Sequence, residues 1–290
     1  MQIIAWAFAG VVGLAALFVA VQCYGAWRWA GTTRELVARL NAGRVATSAA
    51  SYNTAEIADL PAPVKRFFCA ALTDGQQIVT QVTIVQTGMF NVSATAVLWK
   101  PFTATQHFTT RRRGFVWNAK IMMLPGVPVR VVDAYIAGKG LLRPALFGLY
   151  DMGILEGEGE IARGELFRYL AESVWYPTAL LPSQGGIWSP VDEASATVTL
   201  TDGPISVTML VRFCPDGLIS AIRVEARATT VGNAAVMMPW ECRMSNYQAH
   251  DGMHLPMTGE ALYITPQGER PYFKGTIGTL AFAFASHSPT

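Results

Sequence analysis

Residues 195–228 read SATVTLTDGPISVTMLVRFCPDGLISAIRVEARA, and the period of this stretch decides the fold. Val198 and Leu200, then Val207, Met209 and Val211, then Ile222 and Val224 alternate with polar or small neighbours. A period of two places successive side chains on opposite faces, as in strands with one buried side. Asp202-Gly203 and Asp216-Gly217 separate the three runs. Asp-Gly between alternating runs is a strong hairpin signal, because the central residues of a type I′ turn need positive φ. Strands joined by such short turns must pair antiparallel.

The same pattern extends in both directions. Downstream, strands are expected over 237–249, 253–264 and 271–283, with turns at Asp251-Gly252 and Gln267-Gly268. Upstream, candidates run over 78–87, 91–99, 103–111, 115–123 and 129–137, with Arg113-Gly114 at one turn. With 195–201, 205–213 and 218–228, eleven strands result. The fold class is mainly β with a few helices (α+β): one large curved antiparallel sheet with helices packed on one face. A sheet this long must curl, close or leave edges, so a half-open barrel is expected. Two helical pieces are expected between the two series, Leu141–Tyr150 and Gly164–Trp175. On the second, Leu166, Leu170 and Val174 recur at helical spacing and should face the sheet. Pro61 and Pro63 open a further short helix with Val64, Phe67, Phe68 and Leu72 on its apolar side, since proline near a helix start removes only an N–H that has no intrahelical partner.

The amino-terminal end has a different character. Residues 1–27 carry no charged side chain, and 3–21 are almost wholly apolar. About 20 apolar residues wound as a helix match the hydrocarbon thickness of a bilayer. No basic residue precedes the run, as a secretory signal peptide would need, so an uncleaved single-pass anchor is expected. Gln22 stands before Cys23 where a lipobox needs a small residue. The expected divisions are an anchor over 1–27, a juxtamembrane helix and linker over 28–60, and one β-rich domain over 61–290. Thr32-x-x-Glu35 reads as a capping box that starts the juxtamembrane helix. Trp27 and Trp29 suit the membrane interface. Arg28, Arg34, Arg39 and Arg44 follow the span, and basic residues favour the cytoplasmic side.

Composition narrows the function classes. Of 290 residues, 51% are hydrophobic and 14% charged, with a net charge of +2. A large core is therefore available, and the strongly basic balance of a nucleic-acid binder is missing. The four cysteines show no C-x-x-C spacing, and one lies in the expected anchor region, so neither a disulfide framework nor a zinc knuckle is expected.

One segment carries a family resemblance. Arg168-Tyr169-Leu170-Ala171-Glu172, followed by Trp175-x-Pro177-Thr178-Ala179-Leu180-Leu181-Pro182, resembles the hallmark of an uncharacterised bacterial family, a domain of unknown function. Leu60-Pro61-x-Pro63-Val64, Asp133-Ala134-Tyr135, Pro239-Trp240, Pro256-x-x-Gly259-Glu260 and Pro271-Tyr272-Phe273-Lys274-Gly275 support it, over roughly residues 60 to 280. Cys242 departs from the pattern, which prefers glycine there. The resemblance implies no known activity. Its architecture is similar to the half-barrels of periplasmic lipoprotein carriers, which implies an extracytoplasmic domain on a bacterial inner membrane. The arginines argue for the cytoplasmic side, and the two readings stay open.

Candidate functional residues come from the same segments. Glu165, Arg168, Tyr169 and Glu172 share one helix face at i, i+3, i+4 and i+7. They could form an acid–base pair tuned by an arginine, an exposed ion-pair row, or a tie from Arg168 to the sheet. Asp133 and Tyr135 share one strand face, where Asp133 is either a buried carboxylate or a turn-proximal one. His107 has no assignable catalytic partner. His250 and His254 bracket a turn without an evident third metal ligand. Residues 153–164 are glycine-rich but acidic and lack the P-loop Lys-Ser/Thr. Arg111, Arg112 and Arg113 sit at a hairpin tip, where they either touch anionic headgroups or are solvated. The residues assigned to ligand binding are Trp117, Asp133, Tyr135, Arg168, Tyr169, Glu172, Trp175 and Trp240. The leading expectation is a membrane-anchored binder of a lipid or other hydrophobic small molecule, with no cofactor, metal or nucleic acid. The alternatives are an enzyme using Asp133, Glu165 or Glu172 on an apolar substrate, or an assembly module of the cell envelope.

Overall fold

The alternating runs form long strands, and the Asp-Gly steps turn them. The computed structural model describes residues 2–285 apart from Ser48, Ala94, Gly232 and Asn233. Five strands open the sheet: β1 (Val79–Asn91), β2 (Trp99–Thr109), β3 (Gly114–Leu124), β4 (Val127–Ile136) and β5 (Lys139–Leu146). Two short ones follow, β6 (Tyr150–Asp151) and β7 (Leu155–Gly157). The second series is β8 (Ile187–Asp192), β9 (Ser195–Asp202), β10 (Ile205–Phe213), β11 (Ile219–Val231), β12 (Ala234–His250), β13 (Met253–Thr265) and β14 (Gly268–Phe284). All belong to one 14-stranded sheet in the order β6-β5-β4-β3-β2-β1-β14-β13-β12-β11-β10-β9-β8, with β7 beside β5. The two series join where β1 pairs β14, Ile84 opposite Leu280. Every pairing is antiparallel and the sheet does not close on itself.

Four of the fourteen strands, β5 to β8, were not expected; the strand expected over 91–99 is instead the connection between β1 and β2, only Asn91 and Trp99 being in strands; and one expected element has the wrong type. Residues 141–150 are not helical; they supply most of β5, the turn after it and the first residue of β6. Pro144 is the physical reason: inside a helix it would remove a hydrogen bond and clash with the preceding turn. In β5 it lies opposite Val131 and its carbonyl accepts from the Met152 N–H.

The helices divide between the two faces of the sheet. Helix α2 (Ala62–Ala71) buries Val64, Phe67 and Phe68 against Trp188, Phe213 and Leu255 on the concave side. Helix α3 (Glu160–Glu172) runs on into a 3₁₀ turn at Ser173–Trp175, and it buries Leu166, Leu170 and Val174 in the same core. It contacts β4 and β5 on one flank and β10 and β11 on the other, so it spans the gap that closure would have filled. Helix α1 (Gln2–Ala42) is unbroken, so Thr32-x-x-Glu35 caps nothing. The Thr33 hydroxyl instead donates to the Trp29 carbonyl within the helix.

The second half of α1 packs on the convex face, where Trp29, Leu36 and Leu40 meet Val116, Val132, Ala134 and Ala145. The Trp29 Nε1–H donates to Asn118 Oδ1 at 2.9 Å. At Gly25 the helix comes so close to the β5–β6 turn that a Cβ would lie 2.1 Å from the Phe147 carbonyl oxygen. The first half of α1 is exposed, and it is long and apolar enough to cross a membrane. Residues 51–57, expected within the linker, pack instead: Tyr52 and Ile57 are buried, and Ser51 bridges Gln77.

Candidate functional site

The helices fill the concave side at one end of the strands and leave a cavity of about 440 Å³ towards the other. That volume lies within the range of about 300–1,000 Å³ usual for small-molecule sites. Its walls come from inward positions of β3, β4, β12, β13 and β14: Ile121, Val129, Val131, Met244, Ala261 and Phe273 among them. Its floor is different. Asp133, Glu165, Arg168, Glu172 and Arg227 all border it.

Arg168 organises the floor. Its Nη1 donates to Asp133 Oδ2 at 2.5 Å and its Nε to Glu172 Oε1 at 2.9 Å. The guanidinium also lies over the rings of Phe115 and Trp117, at 4.9 and 5.1 Å. Burial works against this cation, but Glu172, Asp133 and Glu165 outweigh it and its pKa rises. Glu172 accepts a second bond from Gln106 Nε2 at 2.8 Å, and Gln106 Oε1 accepts from buried Gln86. Burial raises the Glu172 pKa even so, against Arg168 and Gln106.

Arg227 is the floor's second cation. It donates to the Gly164 carbonyl and to the Tyr263 hydroxyl, and it lies 4.5 Å over the Trp240 ring. The Trp240 Nε1–H donates to Tyr272, which stacks on Tyr263. A β-bulge aims Arg227 inward. Val224 lies opposite Trp240, but Arg227 lies opposite Met238, so three steps on β11 match two on β12. Regular alternation would have placed Arg227 outward with Arg223 and Glu225, and bulges are known to re-aim side chains in this way.

Glu165 is the unusual carboxyl. It is buried, and its pKa is pushed well up, first by burial and then by the Asp133 carboxylate. Its Oε2 and Asp133 Oδ1 have no donor among the described residues. A proton on Glu165 converts the two acceptors into a hydrogen-bonded acid–carboxylate pair. With that proton the floor holds two cations and two anions. The indole N–H groups of Trp117 and Trp175, both on cavity-lining residues, are themselves buried and also lack acceptors among the described residues.

Of the eight residues assigned to ligand binding, six border the cavity: Trp117, Asp133, Arg168, Glu172, Trp175 and Trp240. Tyr135 and Tyr169 do not. The Tyr135 hydroxyl is turned to Asp202 at 2.7 Å, and Tyr169 packs between Phe108 and Tyr176. The helix face of Glu165, Arg168, Tyr169 and Glu172 is not an exposed row, because α3 lies inside the curved sheet. Asp133 is mid-strand opposite Trp117 rather than near a turn. Arg113 is drawn in by the carbonyls of Thr201 and Gln184. His107 bonds Thr83, and His250 bonds the Leu280 carbonyl. Cys242 lines the cavity, its thiol pushed up by burial. Sequence reasoning missed Arg227, since nothing local marks the bulge.

Residues 58–282 match the sequence pattern of a family of unknown function, DUF6920. The chain belongs to that family. The segment from Arg168 to Pro182 that suggested such a family forms the end of α3 and the 3₁₀ turns after it. Its Trp175 ring lies 3.4 Å from where a Cβ on Gly259 would stand, an ordinary contact distance. No curated protein sequence matches the chain. Among solved structures, a LolA superfamily protein from Nitrosomonas europaea is similar at 9% identity over 78% of this chain and 93% of that one, with a TM-score of 0.38. A beta-barrel-like protein of the DUF1849 family from Brucella abortus is similar at 11% identity over 71% and 98%, with a TM-score of 0.19.

Proposed function

We propose that this protein binds a lipid or other apolar small molecule in the cavity of its curved sheet while α1 tethers it to a bacterial inner membrane. The observation that carries the reading is the contrast between apolar walls and a charge-balanced floor in one cavity. Apolar walls gain about 25 cal/mol for each Å² of ligand surface they take from water. The floor gives that ligand a polarity. Arg168 is matched by Asp133 and Glu172, and the buried indole N–H groups of Trp117 and Trp175 have no acceptor among the described residues. A small turn of either ring would present them to an uncharged acceptor such as an ester carbonyl or a hydroxyl oxygen. The ligand would then lie with its acceptor group on the floor and its hydrocarbon along β3, β4 and β13.

The test is native mass spectrometry of the full-length chain released from a mild detergent, with an organic extract run alongside. A stoichiometric co-purifying lipid is expected, and Val131→Trp, which fills the cavity, should remove it. A clean apo mass with no shift on adding phospholipid or fatty acid overturns the reading. A carboxyl-terminal reporter fusion assigns the side of the membrane.

A second reading has its own observation. Asp133, Glu165 and Glu172 border one cavity, and Glu165 is held towards its protonated form. A protonated carboxyl beside an ionised one is the equipment of general acid–base chemistry on an apolar substrate. Turnover of an ester or glycolipid probe that Glu165→Gln abolishes, without loss of ligand binding, would favour it.

A further inference from the structure

The cavity opens at one end of the strands, and α1 leaves the domain at that same end. The strand termini there are Asn91, Trp99, Leu124, Val127, Thr265 and Gly268, as the pairings fix. Helix α1 runs along the convex face towards this end. Leu40 packs at Gly114, at the far end of β3. Trp29 bonds Asn118 midway, and Phe18 meets the Phe147 ring edge-on at 5.9 Å and approaches Gly126 in the β3–β4 turn. Residues amino-terminal to Phe18 therefore project past the rim of the cavity.

The rim's depth follows from the helix. A span of about 20 residues beginning at Gln2 ends near Val21. Phe18 lies three residues inside that limit, about 5 Å at 1.5 Å per residue. The turns that touch Phe18 are therefore level with the edge of the hydrocarbon. Those turns and their neighbours carry outward apolar side chains: Leu124 is 62% exposed, Tyr150 72% and Val97 81%, with Leu98 and Met152 also exposed. Met152 borders the cavity as well, so the exposed apolar rim and the cavity wall are continuous. Tyr24 and Trp27 are exposed on α1 about two turns beyond Phe18, where amphipathic aromatics favour the interface.

We propose that the rim formed by Val97, Leu98, Leu124, Tyr150 and Met152 dips into the leaflet from which α1 emerges, so that the cavity mouth opens on lipid rather than on water. The occupant of this surface is the bilayer interface itself. An apolar ligand then passes between leaflet and cavity without exposing its hydrocarbon to water. The inference rests on the membrane-tether and apolar-ligand reading above, but its test does not require a bound ligand.

The experiment uses the full-length chain in phosphatidylcholine–phosphatidylglycerol liposomes, with Cys23, Cys69 and Cys214 changed to serine. Single cysteines at Val97→Cys, Leu124→Cys and Met152→Cys, and at Lys139→Cys at the opposite end, carry an environment-sensitive fluorophore. Lipids spin-labelled near the headgroup end of the acyl chain should quench the three rim probes at least several-fold more than the Lys139→Cys probe. Rim probes that stay as water-exposed and unquenched as the distal one overturn the proposal. Three separate sites guard against one variant that fails to fold. Quenched rim probes on a chain that carries no lipid by native mass spectrometry would remove the ligand reading and leave the rim contact standing. A lipid-loaded chain with unquenched rim probes would do the reverse.

Discussion

Replacing Arg168 with methionine tests whether the floor is held by its central cation. Arg168, Asp133 and Glu172 keep side-chain exposures of only 14%, 14% and 12%. Methionine keeps much of the length and the ring contacts but strands two carboxylates. Each can escape by taking up a proton. An ordinary carboxylate, with a reference pKa near 4, is protonated at pH 7 for about 4 kcal/mol and at pH 5 for about 1.5 kcal/mol. Those figures cap the loss per group, and Glu172 keeps the Gln106 bond. Breaking a buried pair from one side typically costs about 3–5 kcal/mol.

Arg168→Met should therefore lose about 3–5 kcal/mol at pH 7, and roughly half that at pH 5 by the same proton-uptake argument. The assay is urea unfolding in detergent, followed by tryptophan fluorescence, at both pH values. Adding Asp133→Asn and Glu172→Gln to Arg168→Met should recover most of the loss, because neither carboxylate is then left stranded. A loss below about 1 kcal/mol at pH 7, or one that is equal at the two pH values, would refute the reasoning, since a buried ion pair cannot behave that way.

Glu165 gives an opposite signature. Its pKa is raised in the folded chain, so the folded state holds the proton more tightly than the unfolded one, and stability falls as pH climbs from the ordinary carboxylate range through the folded value. Glu165→Gln should accordingly raise the melting temperature at pH 8 and change it little at pH 4, and a gain that is independent of pH would contradict the assignment. Gly25→Val should lever α1 away from the Phe147 carbonyl, costing about 1–3 kcal/mol as overpacking does; protease cleavage between α1 and the sheet should quicken, and unchanged resistance would argue that this contact is dispensable. Gly259→Leu should displace the Trp175 ring and red-shift or blue-shift its fluorescence while weakening lipid retention; an unaltered spectrum and lipid content would count against Trp175 as part of the cavity.

How much of this was legible in the sequence differs by feature. The strands were readable because their two faces see different surroundings, core on one side and solvent or α1 on the other. β5 to β7 were not, because Leu141 and Leu142 sit in a short apolar run where helix and strand look alike, and Pro144 is the one residue in it that decides for the strand. The unbroken α1 was hidden by local capping chemistry at Thr32 that the helix ignores. At the site, the segment around Arg168 stood out, yet spacing on α3 could not say whether its charged face met solvent or the concave side of the sheet. Only the curl of the sheet settles that. Arg227 was out of reach for a different reason: its direction depends on a register shift between β11 and β12, a property of two strands together.

The open sheet and the charged floor are one design problem with one solution. A sheet of this length has two free edges, and closing it into a barrel would remove them. Here α3 spans the gap instead, and a helix placed there must bury whatever face it turns inward. Arg168 bonds to Asp133 on β4, and Arg227 on β11 bonds to the Gly164 carbonyl of α3. The two cations therefore tie the helix to opposite flanks of the sheet, with Glu165 between them held towards its protonated form by burial. An apolar seam would hold α3 as well, but it would leave nothing polar at the base of the cavity and no fixed point for a ligand's acceptor. The arrangement thus couples closure to recognition: a change that loosens α3, such as Arg168→Met, should disturb the cavity floor and the flanks together.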